Sequence, residues 1–233
     1  MAEGKLIVIE GLDGSGKATQ TGLLCARLER EGRDYRRISF PDYEEPSSAL
    51  VKLYLSGSLG GLDQVNAYGA SLFYAVDRYA SYLAHWKKDY QGGGLVVADR
   101  YATSNVAHQM SKLPPEEWDD YLRWLEDTEY VRVGIPRPDL VIYLDMDPAV
   151  SRRLLSRRYH GDESRRDIHE ADFPYLLRCR KAALYGAGRQ GWRVIPCSRE
   201  GEPLSPEEIA ARVWVAAAPV LGEAGKDCRR WGF

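Results

Sequence analysis

Three apolar runs stand out because they do not alternate: LIVIE at 6–10, LVVA at 95–98 and LVIYL at 140–144. A strand with one wet face alternates apolar and polar positions, whereas one covered by helices on both faces is apolar throughout. With flanking residues and two further β-rich stretches, the predicted strands are 5–11, 36–41, 94–101, 139–146 and 191–197. Helical periodicity fills the gaps. Residues 17–31 place Leu24 and Leu28 four apart and close at Gly32, a predicted C-cap. A long helix rich in Tyr, Ala and Leu is predicted over 63–90, a charged one opening on Pro-Pro over 114–130, and another from Asp147-Pro148. Ser205-Pro206-Glu207-Glu208 signals the last helix, with serine as cap and proline in the first turn. Strands alternating with helices predict an α/β fold, a parallel doubly wound sheet with right-handed crossovers.

Length and composition narrow this further. A chain of 233 residues suits one α/β domain with a buried core, so a single domain over 1–233 is expected. Its 44% hydrophobic and 28% charged residues exclude a disordered or collagen-like chain. A net charge of −2 argues against general nucleic-acid binding, which needs a concentrated excess of Lys and Arg. The N-terminus enters an apolar strand within five residues, and no apolar run approaches the roughly 20 residues that span a bilayer, so neither a secretory signal nor a membrane segment is expected. Cys25, Cys179, Cys197 and Cys228 form no CxxC pair and read as small buried hydrophobes in a reducing cytoplasm. The weakly periodic tail from about 221 is expected to be mobile.

The first strand runs into Gly11-Leu12-Asp13-Gly14-Ser15-Gly16-Lys17 and then a helix. In that setting glycines let successive backbone N–H groups converge on phosphate oxygens, the helix N-terminus adds its positive end, and Lys17 brings a full charge to the β and γ phosphates. Such loops usually continue with a serine or threonine that binds magnesium; here Ala18 has no hydroxyl. A further water, Thr19 after a small shift, or heavier reliance on a carboxylate can take its place. The carboxylate candidate is Asp99, at the C-terminal end of a buried strand, and Arg100 beside it can fork onto a phosphate.

The chain resembles the thymidylate kinases over nearly its whole length: IEGLDGSGK at the start, FPDY at 40–43, FYAVDRY at 73–79, DRYATSN at 99–105, IPRPDLVIYLD at 135–145, and an arginine-rich stretch before Asp167 and Glu170. The resemblance implies a P-loop kinase fold with sheet order 2-3-1-4-5, phosphoryl transfer from ATP to dTMP with Mg2+, and a homodimer. It assigns the nucleotide loop to Gly11, Gly14, Ser15, Gly16, Lys17, Ala18 and Thr19, and metal contact to Asp99. By the same resemblance Asp13 reaches the sugar 3′-hydroxyl, Arg100 binds the acceptor phosphate, and Tyr74 stacks on thymine while Arg78 hydrogen-bonds it. An i, i+4 spacing puts Tyr74 and Arg78 on one helical face, with Phe73 turned to the core. Ser104 and Asn105 match residues near the base, and His108 stands beside the sugar's 2′ position. Tyr43 and Asp42 occupy a segment where many relatives carry a phosphate-binding arginine. The loop has Gly14 and Ser15 where some relatives place an arginine, so the clamp over ATP falls to Arg157, Arg158, Arg165 and Arg166 in a lid over about 155–170. Two other readings stay open on the residues alone: a kinase of another nucleotide or deoxynucleoside, and a nucleotide-binding regulatory module that has lost turnover.

Overall fold

The structure, a computed structural model, describes residues 4–62, 64–158 and 173–222, without the side chains of Arg157 and Arg158. Five parallel strands form the central sheet: β1 (Lys5–Gly11), β2 (Arg36–Ser39), β3 (Leu95–Asp99), β4 (Leu140–Asp145) and β5 (Arg193–Pro196). Their order is β2-β3-β1-β4-β5, as the resemblance implied. β1 lies at the centre, with Ile9 opposite Asp99 of β3 and Gly11 opposite Leu144 of β4. The three uninterrupted apolar runs are the three inner strands, and the more polar β2 and β5 are the edges.

Alternate residues of the inner strands feed two cores. Ile7, Ile9, Val97, Ile142 and Leu144 pack with Leu24, Cys25 and Leu28 of α1 (Lys17–Arg30) and with Ile209, Val213 and Ala217 of α9, the last helix (Pro206–Leu221). Leu6, Val8, Val96, Ala98 and Val141 pack on the other face with Tyr82, Trp86, Tyr90 and Tyr101. Truncating one such buried Leu to Ala costs about 2–5 kcal/mol, so α1 is locked to the sheet at the point where its first turn faces the site. Ser205 caps α9 as predicted, accepting from Glu208 N at 3.1 Å.

Several elements differ from the sequence expectation. The helix expected over 63–90 starts at Ala67, because the Asn66 side chain caps it by accepting from Gly69 N at 2.7 Å. It runs as α3 (Ala67–Ser81) through a π-helical turn (Tyr82–Trp86) into α4 (Lys87–Gln91). The helix expected over 114–130 opens as a 3-10 turn, continues as α6 (Trp118–Glu126) and ends in a π-helical segment, Asp127–Arg132. The short helices α2 (Ala49–Leu55) and α5 (Ser104–His108), and a small hairpin of β6 (Ser198–Arg199) and β7 (Glu202–Pro203), are additions. So is α8 (Phe173–Gln190), whose buried face is mostly small: Cys179, Ala182, Ala183, Gly186 and Ala187. That face carries little hydrophobic contrast, yet it permits close approach. A Cβ on Gly186 would run into Val106 Cγ1, so glycine at this position lets α8 lie close against α5.

Helix α7 (Pro148–Arg158) begins where Asp147-Pro148 predicted, the Asp147 carboxylate accepting from Ala149 N at 2.7 Å. Of the expected lid, residues 155–158 are its last turn, and 159–170, with Arg165 and Arg166, lie outside the described residues. The tail beyond Gly222, with Cys228, also lies outside them; Cys25, Cys179 and Cys197 are free and buried. No helix among the described residues is long and apolar enough to cross a membrane.

Candidate active site

At the C-terminal rim of the sheet the loop after β1, the turn after β3, α3 and α5 surround a cleft of about 540 Å³. Asp13, Gly14, Gly16, Lys17, Ala18, Thr19, Tyr43, Tyr74, Arg78, Asp99, Arg100, Ser104, Asn105 and His108 all line it. Residues from five separate segments thus meet in one place. Gly11 and Ser15 lie buried beneath the loop. A side chain at Gly11 would meet Ser15 Oγ and come within 2.9 Å of the Leu144 carbonyl, which is why the strand must leave the sheet on glycine. Among the described residues no side chain caps the start of α1, and the open first-turn N–H groups suit an anionic ligand.

The charges at the rim are tightly arranged. Lys17 is buried, its ammonium donating to Leu12 O at 2.9 Å and lying 3.6 Å from the Asp13 carboxylate. Burial first, and then the Arg100 charge, push its pKa below that of an ordinary lysine, against the pull of Asp13, Asp99 and Glu10. Arg100 pairs with the same Asp13 carboxylate, and its Nη1 lies 3.4 Å from His108 Nε2. Burial alone would lower the Arg100 pKa, but Asp13, Glu10 and Asp99 hold it above the ordinary value. Its backbone is in the left-handed region, φ 68°, with its N–H donating to Ile9 O at 3.1 Å. That conformation turns the side chain from the strand direction into the cleft. The Asp99 carboxylate, 8% exposed, accepts no hydrogen bond among the described residues.

Glu10 stabilises the turn from behind. Its Oε1 accepts from Tyr101 N at 3.0 Å and from Thr103 Oγ1 at 2.7 Å, and Oε2 accepts from Ser104 Oγ at 2.8 Å. The Ser104 hydroxyl, expected near the base, is therefore engaged with Glu10 even though the residue lines the cleft. Burial raises the Glu10 pKa, opposed by Arg100 and these hydrogen bonds.

At the other end of the cleft Tyr74 stands edge-on to Tyr54, ring centroids 6.3 Å apart. Arg78, a full turn further along α3, is 1% exposed and paired with Glu129, a buried charge and not a solvated one. The side-chain nitrogen of buried Asn105 and both amide atoms of buried Gln109 have no hydrogen-bond partner among the described residues, and both residues line the cleft. Asp42 faces away from it, accepting from Ser81 Oγ at 3.2 Å.

Sequence reasoning missed Glu10, Gln109 and Glu129. Glu10 had a visible signal, a carboxylate inside an otherwise apolar inner strand. Gln109 directly follows His108, and Glu129 had none beyond its place in a charged helix. Among the described residues no group of three or more His, Cys, Asp or Glu is arranged to hold a metal. A lone strand-end carboxylate beside a phosphate loop fits an ion that arrives with its waters and its nucleotide, not one caged by protein.

Comparison with known proteins agrees with this geometry. The sequence profile of thymidylate kinase matches residues 9–204. The chain is 31% identical to the thymidylate kinase of Mycobacterium tuberculosis over 195 residues, covering 80% of this chain and 87% of the relative. It is 31% identical to that of Solidesulfovibrio magneticus over 226 residues, covering 92% and 99%. The thymidylate kinase structure from Candida albicans aligns with a TM-score of 0.68 over 93% of this chain and 92% of that one; at 22% identity this speaks to the fold alone.

Proposed function

The chain belongs to the thymidylate kinase family and phosphorylates dTMP to dTDP with ATP as donor; on that premise we propose how its residues share the work, with 1–233 acting as one kinase domain. The supporting observation is that Lys17 and Arg100 meet on a single carboxylate, Asp13, at one rim of the sheet. One cation belongs to the donor loop and the other to the acceptor turn. Two polyanions bound there face each other tail to tail.

Gly11, Gly14, Ser15, Gly16, Ala18 and Thr19 form the backbone cradle for the ATP phosphates, and Lys17 leaves Leu12 and Asp13 to reach their β and γ oxygens. Arg100 holds the dTMP phosphate, which frees Asp13 to receive the 3′-hydroxyl. Tyr74 stacks on thymine, Arg78 donates to it, Asn105, Ser104 and Tyr43 complete the acceptor wall, and His108 stands where a 2′-hydroxyl would intrude. Asp99 would hold Mg2+ through its water shell, and the ion would supply charge neutralisation at the donor phosphates. Arg157, Arg158, Arg165 and Arg166 supply the clamp over the donor. The acceptor phosphate is already anionic, so transfer requires alignment and charge neutralisation and no strong base.

A homodimer is supported by Leu72, Val76, Tyr79 and Leu83, which are 46%, 53%, 40% and 48% exposed and share one face of α3 and the turn after it. Action in the cytoplasm is supported by the three free buried thiols, and a ligand set without nucleic acid by the net charge of −2. Steady-state ADP release tests the assignment. Arg100→Met should raise KM for dTMP and leave KM for ATP within about threefold, and Lys17→Met should raise KM for ATP and lower kcat. Equal effects of both variants on both substrates would break the division between donor and acceptor cations.

A further inference from the structure

Arg78 and Glu129 pose a problem that stability does not solve. The side chains are 2% and 1% exposed, Arg78 Nε lies 3.3 Å from Glu129 Oε2, and Nη2 pairs with Oε1. Taking both charges out of water is costly, and apolar residues of similar volume are often as stable or more so in such places. A buried pair whose cost stability alone does not explain points to another use.

The geometry indicates which one. Glu129 engages the edge of the guanidinium formed by Nε and Nη2, leaving Nη1 and the outer hydrogen of Nη2, which are donors only. Arg78 lines the cleft and Glu129 does not, so the carboxylate stands behind the arginine. Its mounting is rigid. Glu129 sits in the π-helical segment after α6, and its own carbonyl accepts from Gly134 N at 3.0 Å and Ile135 N at 3.1 Å, closing that segment. π-helical turns are rare and frequently occur at functional sites.

We infer that Glu129 is the positioning residue for base selection: it fixes the Arg78 guanidinium so that only N–H donors face the C4 substituent of the acceptor pyrimidine. A 4-oxo base accepts from them, and a 4-amino base opposes donor with donor. Glu129 also makes the pair neutral, so a nucleotide phosphate has no net charge to seek at this end and goes to Arg100. This rests on the reading that Tyr74 and Arg78 hold the base.

The test compares kcat/KM for dTMP and dCMP in the full-length enzyme carrying Glu129→Gln, which offers Arg78 one acceptor in place of two. The expected result is a KM for dTMP raised about tenfold, with kcat within about threefold and the dTMP:dCMP ratio of kcat/KM lowered about tenfold, the effect of losing one directed hydrogen bond. A merely structural residue would lower both substrates alike, and an unchanged ratio overturns the inference. Should Glu129→Gln not fold, Glu129→Asp, which keeps the charge but withdraws it, decides on the same ratio. The double variant Arg78→Leu with Glu129→Leu separates the two ideas. If it keeps the wild-type KM for dTMP, the base does not lie against Arg78. If it loses discrimination while the Glu129 variants keep theirs, only the role of Glu129 fails.

Discussion

Replacing Glu10 separates charge from geometry behind the acceptor turn. In Glu10→Leu the Tyr101 N–H, buried on a residue 0% exposed, loses its acceptor, as does the Thr103 hydroxyl, 4% exposed. Ser104 is partly exposed and can turn to water. A stranded buried N–H costs about 1–3 kcal/mol and a hydroxyl of limited freedom about 1 more, giving roughly 2–4 kcal/mol. At about 2–4 °C per kcal/mol for a domain of this size, the melting temperature should fall by roughly 5–15 °C. Activity should suffer beyond that. Arg100 holds φ 68° at a cost of roughly 1–2 kcal/mol for a residue with a Cβ, and the Glu10 contacts on the next residues hold it there. Released, the turn relaxes and the guanidinium leaves the position proposed for the acceptor phosphate, so KM for dTMP should rise at least tenfold at a temperature where the variant is fully folded. Glu10→Gln should be mild, within about 1 kcal/mol, because its oxygen still accepts from Tyr101 and Thr103 and its amide can donate to Ser104. The pH dependence has a fixed sign. Burial raises the folded pKa above the ordinary 4.5, so the Glu10 contribution to stability is full below that value and is lost as pH rises through the folded pKa. Glu10→Gln should flatten that part of the stability curve. Thermal melts across pH, paired with dTMP titrations, measure all of this. If Glu10→Gln proved as damaging as Glu10→Leu, the carboxylate would matter for its charge and the hydrogen-bond account would be wrong.

Three further outcomes are expected. Ala18→Ser should tighten Mg2+ in the ATP complex about three- to tenfold, the gain from one added oxygen ligand, in both a Mg2+ titration of turnover and Mn2+ binding followed by magnetic resonance; an unchanged dependence would mean that another group already fills the position. Because burial and Arg100 depress the Lys17 pKa, its charge is lost on the alkaline side before the ordinary lysine value of 10.5. The kcat/KM for ATP, which reports the free enzyme, should therefore fall at a lower pH than kcat does, since bound phosphates hold the proton on; coincident limbs would contradict this. Val76→Lys places a charge on a position 53% exposed in an apolar stripe. It should change the melting temperature by little, a surface substitution costing within about 0.5 kcal/mol, while shifting the mass seen by light scattering from dimer to monomer; a dimer that survives puts the contact elsewhere.

What was legible in the sequence was whatever a short, local requirement dictates. The inner strands announced themselves because a strand covered on both faces carries an unbroken apolar run, and β1, β3 and β4 hold the three such runs. The phosphate loop was legible because its glycines, its lysine and its place between strand and helix are fixed by contiguous geometry, down to the collision that a Cβ on Gly11 would cause with Leu144 O at 2.9 Å. Helix α8 was obscured because close approach to α5 demands small residues, and small residues erase the amphipathic contrast by which a helix is found. The residues behind the site were hidden for a related reason. Glu10 acts on a turn 91 positions away and Glu129 on an arginine 51 positions away, so neither leaves a spacing that a linear reading can detect. A cleft residue is constrained by a ligand that many sequences share, and such constraints make motifs. A supporting carboxylate is constrained only by the partner it holds, so it becomes visible once the fold has brought that partner to it. Buried charges beside a recognised motif are therefore where a structure adds most to a sequence: burial is costly for an ionised group, and Glu10 and Glu129 bear that cost behind two residues, Arg100 and Arg78, that line opposite ends of the same cleft.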